Sequence, residues 1–213
     1  MSLPEPRNIG LGCMSLDSDG SENVTLLRTA IDNGIIFFDT ADLYDKGRNE
    51  EIIGKALSPI RSKVRIATKV GNEWNKSGTD WRWNPTKEYI LKAVDKSLKR
   101  LQTDYIDLYQ LHWPERTTNY FGQLGIESLP PTSEESFTPF IERLEALDEL
   151  RKEGKIKEFG LSNETPWGVM KYLQISEREG LIRPQSIQNP YNLLNRSFEV
   201  GNAEISLREN IGL

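Results

Sequence analysis

Cysteine and histidine are almost absent from this chain: its 213 residues hold one of each, Cys13 and His112. A lone cysteine excludes an internal disulfide and a zinc site built from thiolates, and no metal site is expected. Long hydrophobic runs are missing as well; none approaches the ~18 residues that a membrane-spanning helix needs. Met1–Pro6 carry no basic and apolar signal segment. There is no excess of positive charge. The net charge of -5 argues against a nucleic acid or an anionic membrane surface as the partner. The cytoplasm is the expected compartment.

What the chain does have is a succession of short apolar runs separated by helical periodicity. Ile35–Asp39, Val64–Lys69, Tyr105–Leu111, Ile156–Leu161 and Ser186–Asn189 read as strands, as does the segment 8–13. Helices are expected from Ser21 to Gly34, from Asn49 to Leu57, and from Pro85 to about Leu101. Further helices are expected from Thr138–Pro139 to Gly154, from Thr165–Pro166 to Gly180, and from about Gly201 onward. In the second of these, Ile52, Ile53 and Ala56 mark the inward face. Gly10 and Gly12 invite a dinucleotide fingerprint, but Ser15 stands where a third glycine is needed, so close backbone packing is the better reason for them. Trp74, Trp81 and Trp83 fall in a loop, and Trp113–Ser136 in a second, long one of the kind that carries function. Six strands alternating with six helices predict an α/β fold in one domain spanning 1–213. Both a barrel and a doubly wound sheet satisfy the pattern.

Polar residues recur at the strand ends: Asp39, Lys69, His112, Ser162–Asn163 and Gln188. Each has a bland reading. Lys69 can snorkel to the surface, His112 can be a satisfied core histidine, Ser162–Asn163 can cap the next helix, and Tyr44, five residues past Asp39, can be a surface aromatic. Repetition of one polar theme favours function, because in a barrel all these ends open on one face. The set also fits one chemistry. A tyrosine is a poor acid at neutral pH, and a lysine cation beside it favours the phenolate. Asp39 would keep Lys69 charged and fixed, and His112 would orient a substrate carbonyl. Hydride must come from a cofactor, since no side chain supplies one. Asn163 and Gln188 are suitable amide partners for a nicotinamide carboxamide. Trp74, Trp81, Trp83 and Trp113 could wall an apolar pocket, with core packing an equal reading for each.

The stretches Gly10–Met14, Phe38-Asp-Thr-Ala-Asp-Leu-Tyr44, Ala67-Thr-Lys69, Asp104–Pro114, Gly154–Asn163 and Gln188–Asn195 together resemble the aldo-keto reductases. The resemblance runs over nearly the whole chain. It implies a TIM (β/α)₈ barrel, incomplete here at about six strand–helix units, with NADP(H) as cofactor and an aldehyde or ketone as substrate. It implies a catalytic tetrad of Asp39, Tyr44, Lys69 and His112. Cofactor contacts are implied for Cys13, Met14, Asp39, Ser162, Asn163 and Gln188. Family members continue through two further units that grip the cofactor phosphates, so weak cofactor binding and self-association through an open barrel edge are expected. The family also resembles potassium-channel β subunits, which leaves a non-catalytic binding or regulatory barrel, or an inactive gene fragment, as alternatives.

Overall fold

A computed structural model describes residues 9–16, 21–119, 125 and 136–213. Most of the loop expected over 113–136, and the segment 1–8, lie outside these residues.

Six parallel strands form one curled sheet: β1 (Gly10–Gly12), β2 (Phe37–Asp39), β3 (Arg65–Val70), β6 (Ile106–Leu111), β7 (Ile156–Ser162) and β8 (Ser186–Gln188). They lie side by side in that order, so each strand pairs with the next in the sheet. This is an incomplete barrel rather than a doubly wound sheet, whose strand order would reverse at a switch point. Six α-helices lie among the described residues: α1 (Ser21–Asp32), α2 (Arg48–Leu57), α3 (Lys87–Leu101), α4 (Phe140–Lys152), α5 (Pro166–Glu179) and α6 (Asn202–Glu209). No helix among the described residues is long and apolar enough to cross a membrane.

The central strands read as buried on both faces, and they are. β6 is buried at every position, and β3 at every position but its first. Phe38, Ile66, Tyr109, Leu144, Phe159 and Val169 form part of one continuous apolar core between sheet and helices.

Several expectations need correction. The tryptophan-rich segment is not a loop: Asn72–Trp74 and Trp81–Trp83 form an antiparallel hairpin, β4 and β5. Gly71, at φ 117°, lets the chain leave β3 and turn at once into it. Close packing explains Gly10, where a Cβ would meet the Phe37 ring at 2.6 Å, but not Gly12, which has open space. α3 begins at Lys87 with Thr86 as its cap, one residue past Pro85. α4 begins at Phe140, just past Thr138–Pro139, and the Thr138 amide donates to Glu115 at 2.8 Å. The inward face of α2 carries Asn49 and Glu50 along with Ile53 and Leu57, while Ile52 and Ala56 are only half-buried. The outer edge of β8 is also partly occupied. Gly212 pairs with Ser186 in parallel, and its carbonyl accepts from the Ile187 amide at 2.8 Å.

Candidate active site

The register explains why the strand-end residues meet. Lys69 lies opposite Gln110, and Ser162 opposite Gln188. All these positions stand at the C-terminal ends of parallel strands, so their side chains converge on one mouth.

Lys69 is the centre. Its Nζ donates to Asp39 Oδ1 at 2.9 Å and Oδ2 at 2.8 Å, and to the Thr40 carbonyl at 2.9 Å. It also stands 3.2 Å from Tyr44 Oη. Lys69 is 2% exposed, so its charge is tolerated only because these oxygens surround it. Asp39 is secured from the other side. Gln110 Nε2 donates to Oδ1 at 3.2 Å and Gln188 Nε2 to Oδ2 at 3.1 Å. Tyr44 opens a short 3₁₀ turn in which Asp45 and Lys46 take left-handed backbone angles, φ 45° and 55°. Such conformations cost energy in non-glycine residues and gather at functional sites.

His112 follows directly on β6. Its ring meets Tyr44 edge-on at 5.8 Å and stacks on Trp113 at 5.5 Å. Asn72 Nδ2 lies 3.2 Å from His112 Nδ1. Burial, helped by the Lys69 charge, pushes the imidazole pKa down to about 3, so the ring is neutral at physiological pH.

Ser162, Asn163 and Gln188 form the adjoining wall. Ser162 Oγ donates to the Gln188 carbonyl at 3.0 Å. Asn163 Nδ2 donates to the His112 carbonyl at 3.0 Å, and the residue is held at φ 57°. The cap of α5 is Thr165, whose side chain accepts from the Gly168 amide, so Ser162–Asn163 are not spent on capping. Gln188, by contrast, is engaged with Asp39 and Gln110. Cys13 is wholly buried, and its thiol donates to the Leu11 carbonyl at 3.4 Å. Burial and the Asp39 charge hold that thiol up to about 12, so it stays protonated. Its amide ties β1 to the Asp39 carbonyl at 2.8 Å. Met14, next to it, is 65% exposed.

The residue-by-residue reading missed four supports. Gln110 stands two residues before His112 on the same strand face, which period-two spacing could have shown. Thr40 and Asn49 form a chain: Thr40 Oγ1 donates to Asn49 Oδ1 at 2.5 Å, and Asn49 Nδ2 to the Cys13 carbonyl at 2.7 Å. Asn72 carries no local signal, because its role depends on the unforeseen hairpin.

The sequence profile described as "Aldo/keto reductase family" matches residues 8–213. The chain is 40% identical to Protein tas of Escherichia coli over 98% of this chain and 63% of that protein. An aldo-keto reductase from Bacillus halodurans, in its holo form, superposes with a TM-score of 0.78 at 35% identity, covering 95% of this chain and 59% of that one. An aldo-keto reductase from Klebsiella pneumoniae in complex with NADPH superposes with a TM-score of 0.71 at 26% identity, over 95% and 60% respectively. The chain thus spans about three-fifths of the length of these relatives. It belongs to the aldo/keto reductase family, a family of oxidoreductases, and its six-stranded sheet is the corresponding part of that barrel.

Proposed function

We propose that this chain carries the proton-handling part of an NADP(H)-dependent reductase that converts aldehydes or ketones to alcohols. The observation that carries the reading is Lys69 Nζ standing 3.2 Å from Tyr44 Oη while Asp39 holds it from behind. Tyr44 delivers a proton to the substrate's carbonyl oxygen. The Lys69 ammonium stabilises the negative charge left on the phenol oxygen, and Asp39 keeps the ammonium in register. His112 is neutral at physiological pH, so it is not the proton source; it orients the carbonyl oxygen instead.

A bound nicotinamide cofactor would supply the hydride. Ser162, Asn163 and Gln188 suit its carboxamide, because hydroxyl and amide side chains each offer both a donor and an acceptor. Asn163, whose Nδ2 is held by the His112 carbonyl, and Gln188, which would have to release Asp39, are the two amides proposed for this role. The Cys13–Met14 backbone, just past the C-terminal end of β1, would contribute further cofactor contacts. The NADPH seen in the Klebsiella relative supports the choice of cofactor.

The test is hydride transfer from NADPH to small aldehydes and ketones. It is followed in the chain joined to the remaining part of the Bacillus relative. Tyr44→Phe keeps the ring and removes the acid, so turnover should fall roughly a hundredfold or more with NADPH binding retained. Unchanged turnover would reject Tyr44 as the proton donor. A barrel that binds NADPH without turning over any carbonyl would point to a regulatory role.

As a partner, a second copy of the chain fits the open edge. Leu193, Leu194, Val200 and Leu207, all in the segment after β8, are each more than 80% exposed, and such surfaces favour association. We place the protein in the cytoplasm as one partial-barrel domain over 1–213.

A further inference from the structure

We propose that Asn72 is a positioning residue that fixes His112 in the tautomer bearing its proton on Nε2, so that the neutral ring presents a hydrogen-bond donor to the substrate's carbonyl oxygen. The Asn72 amide nitrogen, 3.2 Å from Nδ1, can only donate. Nδ1 must therefore accept, and in a neutral imidazole the remaining proton sits on Nε2. The opposite tautomer would turn a lone pair toward the carbonyl oxygen and repel it. The role of the donor rests on the reductase reading; the tautomer does not.

The hairpin exists in the right place to hold this contact. Asn72 opens β4 and pairs with Trp83 of β5. Its carbonyl accepts from Tyr89 Oη of α3 at 2.5 Å, and the base of the hairpin is pinned by the Asn84 amide on the Gly71 carbonyl at 2.9 Å. Trp83 packs edge-on against Trp113 at 5.8 Å, and Trp113 stacks on His112. The side chain that orients the ring and the aromatic that flattens it thus share one support. The orientation is chosen at a cost, since Asn72 Oδ1 is left buried with no hydrogen-bond partner. Turning the amide over would set that oxygen against Nδ1 and require the proton there, which is the arrangement the proposal excludes.

His112 is the chain's only histidine, so a sample labelled with ¹⁵N-histidine shows one imidazole. In the unliganded 213-residue chain at neutral pH, the expected spectrum has a protonated Nε2 and an unprotonated Nδ1. A proton on Nδ1, or averaging between the two tautomers, would overturn the proposal. In Asn72→Leu the single tautomer should give way to an averaged pair of shifts; an unchanged spectrum would mean that something else fixes the ring. Should that variant fail to fold, Asn72→Asp carries the same test, because a carboxylate accepts and should draw the proton to Nδ1. The measurement needs neither cofactor nor substrate. A failed hydride-transfer assay would therefore sink the reductase reading while leaving the tautomer result intact, and the converse also holds.

Discussion

The middle of the sheet and its β8 end are built differently. β3, β6 and β7 run for six or seven residues and are buried almost throughout, and they carry Lys69, Gln110 and Ser162, with His112 directly after β6. β8 is three residues long and only its central Ile187 is buried. Beyond it Leu193 and Leu194 are 93% and 99% exposed. Lys69 on β3 and His112 just past β6 are therefore set by long, well-packed strands, while Asp39 ends the three-residue β2 and Tyr44 lies in a 3₁₀ turn; the contacts that join them lie within this chain. The side that would receive the cofactor leans on a short strand and an uncovered surface. On the proposed reading, the Asp39–Lys69–Tyr44 contacts would be preorganised for proton handling.

The sharpest way to break that contrast is to unpair the centre. Lys69→Met leaves Asp39 buried among neutral amides, and removal of one partner of a buried pair costs about 3 to 5 kcal/mol. Urea unfolding should show the loss. A change below about 1 kcal/mol would mean that the tetrad is not part of what holds the sheet together.

Acid should act on the same region. The folded-state pKa of His112 lies below its unfolded value, so its contribution to stability is present above about pH 6.5 and is lost as pH falls toward about 3. Asp42 works in the opposite sense: burial raises its pKa, so its ionisation penalises the fold as pH rises. Subtracting the stability profile of His112→Gln from that of the unmodified chain isolates the histidine. The difference should shrink by a few kcal/mol across that window, measured by denaturant titration at successive pH values. A flat difference would contradict the buried, neutral ring.

Tyr44→Phe should separate chemistry from architecture. Its stability cost should stay within about 1 kcal/mol, as for loss of one partly buried hydrogen bond, while turnover in the completed barrel collapses. Comparable losses in both would show that Tyr44 is a structural residue.

The smallest effect on stability is expected at the open side. Replacing Leu193 and Leu194 by serine should alter stability by no more than about 0.5 kcal/mol, because neither side chain is buried. Size-exclusion chromatography should nevertheless shift toward monomer. An unchanged elution profile, or a single monomeric species before substitution, would remove this surface as the site of self-association.

The sequence by itself determined the alternation of strands and helices, because apolar runs and periodic faces are local properties of the chain. It also marked Asp39, Lys69, His112, Ser162, Asn163 and Gln188, because a polar residue at the end of an apolar strand is visible without knowing what the strand pairs with. Tyr44 was weaker on its own and drew its role from its neighbours in the motif. Tertiary structure alone decided how these groups are supported. Gln110 reaches Asp39 from two strands away, Glu50 is buried against Arg100 of α3 at 2.7 Å, and Asn72 meets His112 across 40 residues. The hairpin that places Asn72 looked like a loop, since three-residue strands carrying tryptophan and charge show no clear alternation. Such contacts follow from register and curvature, which bring distant polar groups to one side of the sheet. A buried polar group must find its partners wherever the fold has put them, and one-dimensional spacing holds no record of that.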